Sequence, residues 1–130
     1  MRVVFDTNIY ISALVIPDSQ GEKALIKALR TGDTIIISQD IIEETVRVLA
    51  QKFERNKEAI SRTILYLRSI GEFVQPVEKV HVFEDTPDNR IVECALAGKG
   101  DAIVTGDKKF LDLREYKEIK IITLREYLMR

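Results

Sequence analysis

The sequence predicts an α/β protein, a three-layer α/β/α sandwich built on a parallel sheet of about five strands. Three observations carry that expectation. Short runs rich in β-branched residues recur along the chain, as at Val3 to Phe5, Ile35 to Ile37 and Ile119 to Ile122. Between them lie longer segments whose apolar residues fall three and four apart, the period of a half-buried helix. Strands that alternate with helices throughout, and that read as continuous apolar runs, belong to a parallel sheet covered on both faces.

Each element follows from its residues. Arg2 to Phe5 reads as a strand and Asn8 to Val15 as a short helix, broken by Pro17, Asp18 and Ser19. A second helix carries Ala24, Leu25, Ala28 and Leu29 on one face and ends near Thr31-Gly32. Thr34 to Ile37 is a buried strand, and Ser38-Gln39 opens a longer helix with Ile42, Val46, Leu49 and Phe53 in one stripe. Lys57 to Ile70 forms the next helix, with Ile60, Ile64, Leu67 and Ile70 inward and Gly71 as its stop; Glu72 to Gln75 is a candidate strand. Pro87 suits the first position of a helix that runs to Leu96, with Gly98 beyond its end. Ala102 to Thr105 is a strand, Asp107 to about Leu113 a helix, Ile119 to Ile122 a strand and Leu124 to Met129 a closing helix.

Composition narrows the class. A chain of 130 residues, 45% hydrophobic and 32% charged, is expected to make a single domain over 1–130. No apolar run approaches the roughly 20 residues of a membrane helix, and no signal-peptide pattern follows Met1, so a cytoplasmic protein is expected. Cys94 is alone and falls in an apolar helical pattern, as a small core residue does; His81 has no second histidine with which to form a zinc site. A formal net charge of -1 argues against nucleic-acid binding through bulk positive charge.

The acids are placed informatively. In an open parallel sheet the ligand crevice lies at the carboxyl ends of the strands. Asp6 follows the first strand directly, Asp107 follows the Ala102 to Thr105 strand by one glycine, Asp85 and Asp88 flank a helix start, and Glu43 and Glu44 lie in the first turns after the Thr34 to Ile37 strand. Taken singly, each has a plain reading as a helix cap, a dipole partner or a solvated charge. Taken together they crowd one rim, where two carboxylates about 4 Å apart repel by roughly 4 kcal/mol at an effective dielectric near 20. A hard divalent cation relieves this, and Mg²⁺ or Mn²⁺ suits all-oxygen ligands. Such a cation activates water and neutralises a phosphodiester. Competing motifs are absent: there is no GxSxG, no Cys/His pair and no phosphate-cradling GxxxxGKS loop. An aspartyl-phosphate chemistry at Asp6 is disfavoured by Asn8 two positions on.

Four stretches, VVFDTN at 3–8, SQDIIEETVRVL at 38–49, DTPDNRIVECALAG at 85–98 and DAIVTGDKKFL at 101–111, together resemble the PIN-domain family. The likeness is to the compact, VapC-like kind that serves as the toxin of a toxin-antitoxin pair. It implies a five-stranded parallel sheet and an acidic metal site, with Mg²⁺ or Mn²⁺, that cleaves RNA. Carried over residue by residue, it makes Asp6, Glu44, Asp88 and Asp107 the catalytic, metal-binding acids. Asn8 and Thr105 become supporting polar residues and Asp85 an outer candidate. Helical phase lets one of Glu43 and Glu44, and one of Asp85 and Asp88, face the crevice squarely; Glu44 and Asp88 are preferred. The resemblance also implies an antitoxin partner and a homodimer.

An acidic site needs cations nearby to hold RNA. Lys108 and Lys109, directly after Asp107, are the preferred RNA contacts; Lys23, Lys27, Arg30, Arg47, Lys52, Arg55, Lys57 and Arg62 read otherwise as solvated surface. Besides a toxin endoribonuclease, two further functions fit the sequence: a PIN nuclease of RNA maturation or decay, and a non-catalytic metal- or RNA-binding module.

Overall fold

In the computed structural model, which describes residues 1–130, the apolar runs pair as one six-stranded sheet. Its strands are β1 (Arg2–Phe5), β2 (Thr34–Ser38), β3 (Glu72–Val74), β4 (Ala102–Thr105), β5 (Glu115–Tyr116) and β6 (Ile119–Thr123), in the spatial order β3-β2-β1-β4-β6-β5. The pairs β1·β2, β1·β4, β2·β3 and β4·β6 are parallel, and β5 adds an antiparallel edge against β6. The five parallel strands are those the sequence predicts; the sixth is not. Its residues Glu115 and Tyr116 carry no strand pattern. They pair back across Lys117 and Glu118, both at positive φ (47° and 71°), in a tight turn made without glycine.

The helices are α1 (Thr7–Val15), α2 (Gln20–Thr31), α3 (Gln39–Lys52), α4 (Lys57–Ser69), α5 (Thr86–Ala97), α6 (Lys108–Leu113) and α7 (Leu124–Leu128). Side-chain caps set the starts of α2, α3, α4 and α7: Ser19, Ser38 and Asn56 accept from Glu22, Ile41 and Ala59 N–H, and Thr123 with Glu126 closes a capping box. α2 ends as the sequence predicts, on Gly32 at φ 79°. α5 packs across β1, β2 and β4, α2 packs on β2, and α7 on β4 and β6. Between the layers lies a cluster of 27 buried side chains, in which Phe5 meets Tyr10 and Tyr127 edge-to-face at 6.0 and 5.5 Å.

Cys94 is fully buried in that core and His81 is exposed in a loop. Two residues assigned to apolar faces are not inside: Leu29 is 50% exposed on α2, and Phe53 is 43% exposed where α3 has ended. No helix is long and apolar enough to cross a membrane.

What positions the site is the strand order. The chain runs outward from β1 through β2 to β3, then returns to β1's other side with β4. The direction of winding therefore reverses between β1 and β4, and their carboxyl ends open a crevice at that switch point.

Candidate functional site

Asp6 stands at the end of β1. Its N–H donates to Val104 O at 3.0 Å, which carries the β1–β4 ladder one step past the strand and buries the residue to 6% exposure. Asp6 occupies the N-cap position of α1 but closes no capping hydrogen bond with its side chain. Instead Oδ2 accepts from the Thr105 hydroxyl at 2.6 Å, and that hydroxyl oxygen accepts from the Asp107 N–H at 3.0 Å. Thr105 thus ties the ends of β1 and β4 together and fixes the turn that presents Asp107. Asp107 does cap its helix, accepting from Lys109 N–H at 3.0 Å, with its side chain half-buried. Asn8 is exposed.

Burial pushes the Asp6 carboxyl up, and the charge of Asp107 adds to this; the Thr105 hydroxyl and the nearby N–H groups of Asn8 and Thr7 draw it partly back. Asp88, half-buried in the first turn of α5, feels the same crowding. Burial first, then the charges of Asp6, Asp107 and Asp85, push its carboxyl up to about 6, with Lys109 opposing. Asp6, Asp88 and Asp107 are therefore within electrostatic reach of one another.

The remaining acids lie differently. Asp85 is exposed and pairs with Lys109 Nζ at 2.9 Å, while Lys108, 87% exposed, reaches only Asp112 at 3.3 Å. Of the two preferred RNA contacts, Lys109 leans over the acids and Lys108 does not. Glu44 is half-buried and Glu43 exposed on α3. Glu44 is held by Arg47, whose Nη2 and Nε donate to its two oxygens at 2.5 and 3.2 Å. The structure brings three of the four sequence-predicted acids together and leaves the fourth on a neighbouring wall. That wall belongs to a cavity of about 280 Å³ lined by Thr7, Asp40, Glu44, Arg47, Thr86 and Arg90 among others, beginning one residue from Asp6.

The donor set fits a hard divalent cation: three carboxylates, no histidine and no thiolate, with buried Asp6 and half-buried Asp88 both pushed toward protonation by burial and by their neighbours' charge. The carboxylates do not converge on one point, and no three Asp, Glu, His or Cys side chains are arranged as a cage. Uncompensated like charges in a partly buried place favour rotamers that keep them apart.

Sequence reading did not single out Arg90 or Asp40. Arg90 lies two residues after Asp88 and Asp40 two after the Ser38 cap, but neither belongs to a recognisable pattern, and Arg90 is oriented by Glu93 one turn on in α5, itself pinned by the Val80 N–H.

The comparisons with known proteins bear on the fold and the family. A chain from the crystal structure of VapBC2 from Rickettsia felis, bound to a DNA fragment from their promoter, superposes with a TM-score of 0.67 at 17% identity, over 95% of this chain and 98% of that one. At that identity the likeness is one of fold. The uncharacterized protein MJ1680 of Methanocaldococcus jannaschii is 30% identical over 126 residues, 93% of this chain and 81% of the relative. The family described as PIN domain matches residues 2–109, a span that holds all four predicted acids, and the chain belongs to the PIN domain family.

Proposed function

We propose that this protein is a metal-dependent endoribonuclease, working as one domain over residues 1–130 and serving as the toxin of a toxin-antitoxin pair. PIN domains are generally nucleases that use divalent metal ions, so hydrolysis of phosphodiester bonds is the chemistry of the family. The observation that carries the reading for this chain is the placement of the acids: Asp6, 6% exposed at the end of β1, is tied through Thr105 to the turn that presents Asp107, and burial with the charges of both pushes the half-buried Asp88 carboxyl up. An arrangement that raises carboxyl groups in this way is unfavourable for the protein alone and favourable once a cation joins it.

Asp6, Asp88 and Asp107 would hold Mg²⁺ or Mn²⁺, with Glu44 as the fourth acid. Bound there, the cation supplies an activated water and neutralises charge on the phosphodiester. The chain's own residues do the positioning. Thr105 fixes Asp6 and the Asp107 backbone, and Lys109, drawn in by Asp85, offers an ammonium to the RNA backbone. Asp85 is then a positioning residue for Lys109.

The VapBC2 neighbour supports a protein antitoxin as partner, and a cytoplasmic homodimer is the assembly we expect. The test is cleavage of a labelled structured RNA with EDTA, Mg²⁺ or Mn²⁺, beside the Asp6→Asn and Asp107→Asn variants. Metal-dependent cleavage that both folded variants lose is the expected result. A folded, metal-binding protein that cleaves nothing would point instead to a binding module. Cleavage without growth arrest on expression would point to RNA maturation or decay.

A further inference from the structure

Of the four cavities in the molecule, one lies at the rim that carries the acids; the others sit beneath residues 75–78, beside residues 99–101 and against α7. The rim cavity opens between the start of α1, the first turns of α3 and the start of α5, with Thr7 adjacent to Asp6 and Pro87 adjacent to Asp88. Whatever fills it lies beside the atoms that would react.

Its two arginines are not equivalent. Arg47 has every guanidinium nitrogen engaged: Nε and Nη2 on Glu44, and Nη1 on Gln51 at 3.2 Å. Arg90 has only Nη1 engaged, on Glu93. Glu93 is itself 1% exposed and pinned by the Val80 N–H at 2.9 Å, so the guanidinium is oriented from behind while its other N–H groups remain available. Asp40, half-exposed on the facing wall, has no hydrogen-bond partner for its carboxylate in the protein. The cavity therefore offers a fixed donor and a free acceptor, with Ile41 and Pro87 as apolar surface.

Charge decides what fits. Three carboxylates, Asp40, Glu43 and Glu44, line the cavity against two guanidiniums, each already paired with a glutamate. A phosphate meets net repulsion there. A neutral planar group with both acceptors and donors on its edge does not, and about 280 Å³ suits one such ring system rather than a longer segment.

We propose that this cavity is a nucleobase subsite, which takes the unstacked base of the RNA nucleotide next to the scissile bond and reads its edge with Arg90 and Asp40. The inference rests on the nuclease reading above for the nature of its ligand. An arginine and a carboxylate together recognise a base with paired acceptors and exocyclic donors, and RNA is read where its bases are splayed from the stack.

The experiment measures binding of four fluorescent hexaribonucleotides, identical except at one central base, to the cleavage-deficient Asp6→Asn protein in Mg²⁺. One base should bind roughly tenfold tighter than the others, the discrimination a good bidentate contact gives. Arg90→Ala would strand the buried Glu93 charge, so Asp40→Ala and the cavity-filling Thr86→Trp carry the test. In that background each should reduce the preference to within about twofold, and the same two substitutions made with Asp6 intact should leave the Mg²⁺-induced rise in melting temperature unchanged. Equal affinity for all four hexamers, or a preference that survives both variants, overturns the subsite. Loss of the nuclease reading looks different: the parent protein fails to cleave any RNA while the base preference in binding persists.

Discussion

Thr105 shows how one hydroxyl organises the rim. It donates to the buried Asp6 carboxylate and accepts from the backbone of Asp107, so two strand ends share one oxygen. Thr105→Val keeps the shape and removes both bonds, leaving a buried carboxylate without its donor. We expect a loss of about 1–3 kcal/mol in urea unfolding, with Thr105→Ser recovering most of it. Asp88 shows the opposite situation, a charge that the folded state disfavours. Its carboxyl lies at about 6 in the folded chain against 3.8 ordinarily, so between those pH values the folded state holds more protons than the unfolded one. Stability contributed by this group is therefore lost as pH rises from about 4 to about 6, and the full loss persists above. In EDTA, Asp88→Asn should melt higher than the parent at pH 7.5 and show a flatter pH dependence across that window. A variant that melts lower at pH 7.5 would mean that the carboxylate is structurally supported after all.

The elements transmit position to these residues through close backbone contacts. Gly21, in the first turn of α2, faces α1 so tightly that a Cβ there would come to 2.6 Å from Ile9 O. Gly21→Ala must push α1 aside, at a cost of about 1–3 kcal/mol in the melting or urea midpoint. Because α1 begins one residue after Asp6, the same variant should weaken divalent-metal binding in calorimetry. On α5, the Asn89 side chain exchanges two hydrogen bonds of 2.8 Å with the Phe83 backbone, and Glu93 takes the Val80 N–H, so the helix that carries Asp88 clamps the segment before it. The parallel strands and their helices were legible in the sequence because their signals are local: buried apolar runs, serine, threonine and asparagine caps, and Gly32 as a stop. β5 was not, because its pairing depends on Lys117 and Glu118 at positive φ, where glycine or asparagine would have announced the turn. The α5 clamp was equally hidden, since it joins Asn89 and Glu93 to a patternless segment, and the orientation of Arg90 depends on the Glu93 it holds.

At the scale of the whole molecule, the reversal of winding between β1 and β4 collects acids from distant parts of the chain into one crevice, although the net charge is only -1. Local charge, not the total, sets the partner chemistry. The fold holds like charges together that the unfolded chain keeps apart, so a cation that binds the folded rim must stabilise the whole fold by linkage. At a metal concentration one hundred times the dissociation constant this amounts to about 2.7 kcal/mol, or roughly 10 °C in a protein of this size. Mg²⁺ or Mn²⁺ should therefore raise the melting temperature at pH 7.5. The rise should be smaller at pH 5, where protons compete for Asp88, and largely absent in Asp6→Asn. Scanning calorimetry at the two pH values, with EDTA as the reference, measures all three. An equal rise at both pH values would place the cation away from Asp88, and an undiminished rise in Asp6→Asn would place it away from the end of β1.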